Sequence, residues 1–313
     1  MIQVGIFTGY YPNTIDETIE IIKSQGFNCV QLDVSFKDCD ATRGELTEEK
    51  ADEIRNKFRD AGLPIVALSA YTNFIHPDPE KRRANIEYFK MMTRFARRLG
   101  CGYIASETGT YNEESDWVWD DRNASEETYQ EALAVIKELV ACCEENGVTF
   151  IVENYINNVI GSVEQIERLM ADVNSPNLAL ICDPTNYFTG ANIGNMDAEL
   201  EKIFSRVGKY MKIAHAKDCM LAQDTSEKHA DIDADESHTF RGSGDVDEMK
   251  AKKGVHFDVE LPAAGLGALN YELYVKLLAE QHPNMPIIVE HVDEGDIPRA
   301  KAFVDGVLRK VGV

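Results

Sequence analysis

The chain has no surplus of positive charge, no CxxC pair and no apolar run long enough to span a bilayer. Each absence removes a class of partner or compartment. Lys+Arg number 32 against 54 Asp+Glu, a formal net charge of −22 at pH 7. So acidic a surface repels phosphate backbones and anionic headgroups, so neither nucleic acid nor a membrane is an expected partner. The seven cysteines (Cys29, Cys39, Cys101, Cys142, Cys143, Cys182, Cys219) are odd in number, and several stand inside apolar runs, where a free thiol acts as a small hydrophobe. A reduced, cytoplasmic compartment is the expectation. The opening "MIQVGIFTGYYPNT" lacks the basic start, long apolar run and small-residue cleavage site of an export signal. No GxGxxG follows the first strand candidate, which weakens an open dinucleotide-binding sheet.

What is present is a rhythm of strand, loop and helix. Eight short apolar runs read as strands: "QVGIFT" near Val4, then "FNCVQLD", "PIVALS", "GYIASE", "VTFIVE", "LALICD", "YMKIAH" and "PIIVE". Near-continuous apolar character fits parallel strands covered on both faces. The segments between them carry helix signals. Thr14 to Glu17 and Ser162 to Gln165 have capping-box spacing, and Asp78-Pro79 sets a cap residue before a proline at the first helical position. Gly26, Gly62, Gly147 and Gly208 stand where helices should stop in a left-handed turn. Eight such units predict an α/β fold, a (β/α)8 TIM barrel forming one domain over 1–313, with an open doubly wound sheet as the alternative.

One stretch breaks the rhythm. From Cys219 to Glu260 the chain is polar and charged, and reads as a long loop inserted after strand seven, a lid, an oligomer contact or a plain excursion into solvent. Within it "DIDADE" looks calcium-like, but an EF-hand loop needs glycine at its sixth position and an acid at its twelfth, where Glu236 and Gly242 stand.

The last four strands end in Glu153, Asp183, His215 and Glu290. In a barrel, residues at the carboxyl ends of the strands share one mouth. A lone acid at a strand end more often caps a helix or meets a base. Three carboxylates and an imidazole at successive strands would repel one another without a cation. Hard oxygen donors with one imidazole suit Mn²⁺, Mg²⁺, Co²⁺ or Zn²⁺.

With their surroundings "VENY", "CDPTNYF", "HAKD" and "VEH", these residues resemble the sugar isomerase/epimerase superfamily of xylose-isomerase-like barrels. That group includes ketose 3-epimerases, inosose dehydratases, hydroxypyruvate isomerases and barrel-type abasic-site endonucleases. The resemblance extends to "SAYTNFIHPDPEKR", "ETGT" and "PAAGLGALNY". It implies that Glu153, Asp183, His215 and Glu290 hold a divalent metal, with Mn²⁺ the first expectation, and that Glu153 and Glu290 double as acid and base. Where ketose 3-epimerases carry a histidine three positions after the aspartate, this chain has Asn186. Where they carry an arginine six positions after the metal histidine, it has Leu221.

The reading that follows is a metal-dependent isomerase or epimerase. It moves a proton on the carbon beside the carbonyl of a sugar or sugar derivative, through a cis-enediolate. Expected substrate contacts are Glu107, Tyr155, Asn186, Lys217, Arg241 and Trp117. The alternative is a lyase using the same base for β-elimination, like inosose dehydratase or the barrel subunit of a C-glycoside deglycosidase acting on 3-oxo-glycosides. Too few histidines and too much negative charge oppose the endonuclease reading, and a barrel that only binds sugar is the non-catalytic rival. A homo-oligomer, or a hetero-oligomer with a second subunit, is the expected assembly.

Overall fold

The eight apolar runs form eight strands: β1 (Val4–Phe7), β2 (Val30–Leu32), β3 (Ile65–Ser69), β4 (Tyr103–Ser106), β5 (Thr149–Val152), β6 (Leu178–Cys182), β7 (Met211–Ala216) and β8 (Ile287–Val289). A computed structural model describes residues 2–222 and 258–313. Each strand pairs in parallel with the next in sequence, and β8 pairs with β1, closing the sheet into a barrel.

Helices link successive strands on the outside. They are α1 (Ile15–Ser24), α2 (Glu48–Asp60), α3 (Pro79–Ala96), α4 (Glu126–Glu145), α5 (Val163–Val173), α6 (Met196–Val207), α7 (Tyr271–Gln281) and α8 (Ile297–Val311). Both capping boxes form, at Thr14 with Glu17 and at Ser162 with Gln165, and Asp78 accepts from the amides of Glu80 and Lys81 behind Pro79. Gly26, Gly62 and Gly147 take the left-handed turn. Gly208 does not. Its φ is −52°, and the chain continues through the short turn Gly208–Tyr210 into β7. A Cβ there would lie 2.3 Å from Oε1 of the exposed Gln281 side chain on α7, which would have to swing aside.

The strands are buried on both faces, and their side chains divide by the two-residue pleat. In β6, Leu180 and Cys182 join the large core under the helices, whereas Ala179 and Ile181 join a smaller cluster. That smaller cluster draws Phe7, Cys29, Ala67, Ala105, Ile151, Ile213 and Ile288 from on or beside the other strands, so it fills the barrel. Gly5 makes room for it: a Cβ there would meet Cys29 Sγ at 2.6 Å and Ile288 Cδ1 at 2.7 Å.

The irregular stretch expected over 219–260 begins and ends in order. Met220–Leu221 pairs antiparallel with Val259–Glu260, so the chain leaves and re-enters the barrel at adjacent points. Arg241 lies outside the described residues, as do His229, His238, His256 and the "DIDADE" segment. Among the described residues, no helix is long and apolar enough to cross a membrane.

Candidate active site

Four interior isoleucines, Ile151, Ile181, Ile213 and Ile288, lie two positions before Glu153, Asp183, His215 and Glu290. The pleat therefore turns all four polar side chains inward, one layer above an apolar floor. Glu153, Asp183 and Glu290 are each the first residue beyond their strand, and His215 lies within β7. All four are buried, and a donor atom from each lies within 4.8 Å of those of the others. His215 Nδ1 is 3.1 Å from Glu290 Oε2, 3.4 Å from Glu153 Oε1 and 3.4 Å from Asp183 Oδ2. Two ligands each about 2.1 Å from one cation stand roughly 3.0–3.4 Å apart, so these separations match a shared coordination shell.

The cluster's hydrogen bonding is incomplete in a telling way. Asp183 Oδ1 accepts from the Thr185 amide (3.1 Å) and hydroxyl (2.7 Å). Its Oδ2 has Lys217 Nζ at 2.9 Å, yet nothing is aligned with it as a hydrogen bond, and His215 Nδ1 is orphaned too. A buried polar atom without a hydrogen bond, as at His215 Nδ1, costs about 1–3 kcal/mol. Both orphans face the same point among the carboxylates. Three carboxylates and one imidazole converging on one point are a donor set that fits a divalent cation.

With no cation bound, the buried charges of the cluster balance one another. Burial would lower the pKa of His215, but Glu290 and Glu153 outweigh it and hold the imidazole well above its ordinary value. Burial would raise the pKa of Asp183, yet Lys217 and His215 keep it depressed. Burial, reinforced by Glu153, raises that of Glu290 against the pull of His215. Burial would also strip Lys217 of its proton; Asp183, Glu153 and Glu290 prevent it. Without a metal, an imidazolium and an ammonium supply the positive charge that the carboxylates demand.

The expected contacts are distributed unevenly. Asn186 donates to Glu153 Oε1 (2.8 Å), so its amide orients a carboxylate of the cluster. Lys217 is buried against Asp183, 3.7 Å from Glu153 Oε1. Glu107 and Trp117 line a cavity of about 430 Å³ over β1 to β4, together with Phe7, Asp33, Tyr71 and Asp116. Burial and then Glu153 push the Glu107 carboxyl well above the usual carboxylate range. Tyr155 follows β5 without reaching that cavity wall. Trp119 donates to Asp121. His291, with φ +50°, turns out of the strand direction and lies 3.2 Å from the Leu261 carbonyl.

Two participants went unread in the sequence. Tyr71, just beyond β3, donates its hydroxyl to Glu153 Oε2, and burial followed by Glu153 keeps that phenol protonated. Gln31, inside β2, places Oε1 2.9 Å from His215 Nε2. The available signal was parity: Gln31 is a polar residue two positions after interior Cys29 in an apolar strand.

A search of curated proteins finds no match in sequence. Solved structures do match. One is the probable 3-DHS dehydratase AsbF involved in petrobactin synthesis from Bacillus anthracis, 14% identical, with a TM-score of 0.67 over 97% of this chain and 98% of that one. Another is an L-ribulose 3-epimerase, 13% identical, TM-score 0.67, covering 99% and 96%. A third is the IOLI protein with a bound zinc atom, 16% identical, TM-score 0.66, covering 99% and 98%. At such identities the likeness shows a shared fold and no more. The sequence model of the xylose isomerase-like TIM barrel covers residues 19–309, and the chain belongs to that family.

Proposed function

We propose that the chain is a divalent-metal-dependent isomerase or epimerase acting on the carbon beside the carbonyl of a sugar or sugar derivative. The observation that carries this reading is the convergence of four buried donor groups, three carboxylates and the His215 imidazole, with one donor atom of each within 4.8 Å of the others. Glu153, Asp183, His215 and Glu290 would hold the cation, which supplies positive charge to an oxygen that becomes anionic as the C–H proton leaves. Mn²⁺ remains our first choice, with Mg²⁺, Co²⁺ and Zn²⁺ compatible with the same donors.

The chain's own groups do the proton work. Glu153 is held at both oxygens, by Tyr71 at Oε2 and Asn186 at Oε1, and so presents a fixed face. Glu290, buried at the end of β8, is the second carboxylate placed for acid–base work. The two stand at the ends of β5 and β8, a pair able to take a proton and return one. Glu107 and Trp117, on the cavity wall, would contact the sugar's hydroxyls and ring face. The epimerase among the solved relatives fits this reading.

The test is solvent exchange. The metal-loaded protein, incubated in deuterated water with a panel of ketoses, should place deuterium beside the carbonyl and yield an epimer or isomer. Glu290→Gln should lower the rate by about 10²–10⁴-fold, the usual contribution of a positioned acid or base. No exchange with any ketose, or an unchanged rate in the variant, would overturn the reading.

A second outcome of the same chemistry is β-elimination. Leu221, where the ketose 3-epimerase pattern has arginine, is 53% exposed, and Asn186 is committed to Glu153. Release of water or an aglycone from a 3-oxo substrate would identify the lyase.

A further inference from the structure

The side chains around the cluster fix one another's donor and acceptor roles. The Tyr71 hydroxyl spends its hydrogen on Glu153 Oε2. Toward the Gln31 side chain, 3.4 Å away, the Tyr71 oxygen can then only accept. Gln31 therefore turns its NH₂ toward Tyr71 and toward Ser69 Oγ, which lies 3.0 Å away. Its carbonyl is left facing His215 Nε2 at 2.9 Å. A carbonyl can only accept, so Nε2 carries a hydrogen, and Nδ1 is the nitrogen free to lose its proton and donate a lone pair. Gln31, Ser69 and His215 are all buried.

We infer that Gln31 is the positioning residue that hands His215 to the cation through Nδ1, and that Tyr71 ties this choice to the orientation of Glu153. The inference rests on the reading that the four residues hold a cation. Two metal-facing side chains on β5 and β7 are thus set by one amide on β2, across the barrel interior. Partners of this kind typically change metal affinity 10–100-fold when removed.

The probe is zinc, which is diamagnetic and leaves histidine resonances readable. In wild type, ¹⁵N spectra of the zinc-loaded protein should show His215 with hydrogen on Nε2 and zinc on Nδ1. Gln31→Leu, which keeps the volume and removes both hydrogen-bonding functions, should weaken zinc binding by about 10–100-fold in a calorimetric titration and erase the Nε2–H···O signature. Gln31→Glu retains an acceptor for Nε2–H and should restore the signature, which a merely space-filling role would not require. Tyr71→Phe keeps the ring and releases Gln31 from its fixed orientation. It should weaken zinc less than Gln31→Leu, and it carries the test should Gln31→Leu fail to fold. Folded Gln31→Leu with wild-type zinc affinity and an unchanged His215 spectrum would overturn the inference alone. A wild-type chain that binds no zinc would overturn the functional reading and this one with it.

Discussion

The two halves of the barrel are built on different floors. Beneath the metal-facing residues of β5 to β8 lie four isoleucines, Ile151, Ile181, Ile213 and Ile288. In the other half the corresponding interior positions are Cys29, Ala67 and Ala105, two residues before Gln31, Ser69 and Glu107. Branched side chains with few rotamers fill the first half to just below the carboxylates and hold the strand ends apart at fixed spacing. Small side chains in the second half leave space that rings take up: Phe7 and Tyr71 pack against that interior cluster, with the 430 Å³ cavity above them. One half thus holds charge rigidly, and the other offers room. No Lys, Arg or His among the described residues lines that room, whereas Asp33, Glu107 and Asp116 do.

The largest expected contrast comes from one carboxylate in each half. Asp183→Asn removes a buried donor from the cluster and should weaken zinc binding by more than the 10–100-fold typical of outlying partners. Asp116→Asn lies on the cavity wall, where Asp116 accepts from the Asn73 amide at 2.9 Å. It should leave zinc affinity within a few-fold of wild type and raise KM. Titration of both variants with zinc, alongside their kinetics, checks this. Equal loss of zinc in the two would erase the distinction between the halves.

This division was half legible in the sequence. All eight strands could be read because parallel strands covered on both faces appear as apolar runs. Glu153, Asp183, His215 and Glu290 were visible for the same reason, each a polar stop to such a run. Gln31 sits in "NCVQLD", where one polar residue looks like any strand end, and its partner His215 is 184 positions away. Only the closed ring brings β2 and β7 within reach. Tyr71 follows its strand in "SAYTN", and an aromatic there has no period to mark it. Gly208 looks like the three other helix-ending glycines, but its φ of −52° leads into a further short turn, a continuation that no local pattern marks.

The floors themselves should differ in what they tolerate. Ile213→Ala removes buried methyl groups under His215 and should cost about 2–5 kcal/mol by urea denaturation. Ala67→Ile adds bulk in the roomy half, where Tyr71 and Phe7 can shift, and should cost toward the low end of the 1–3 kcal/mol usual for overpacking. A larger loss for Ala67→Ile than for Ile213→Ala would mean that the small-floored half is the tighter one.

The smallest effect is expected on the outside, at the seam where α4 of one half meets α5 of the other. Arg168 donates to both oxygens of Glu126, at 2.6 and 2.7 Å, and lies over the Tyr129 ring at 3.7 Å. The guanidinium, helped by Gln130, lowers the Glu126 carboxyl to about 2. A depressed carboxylate pKa gives stability that is complete above the ordinary value and is lost as pH falls through the lowered one. Any contribution of this pair therefore disappears between roughly pH 4.5 and 2. Both groups are solvent-exposed, so screening keeps that contribution small. Arg168→Ala should return the Glu126 titration, followed by carboxyl ¹³C shifts, toward the ordinary range, while the urea midpoint at neutral pH moves far less than in Ile213→Ala. A loss as large as that of Ile213→Ala would show that the outer seam holds the halves together as firmly as the barrel interior does.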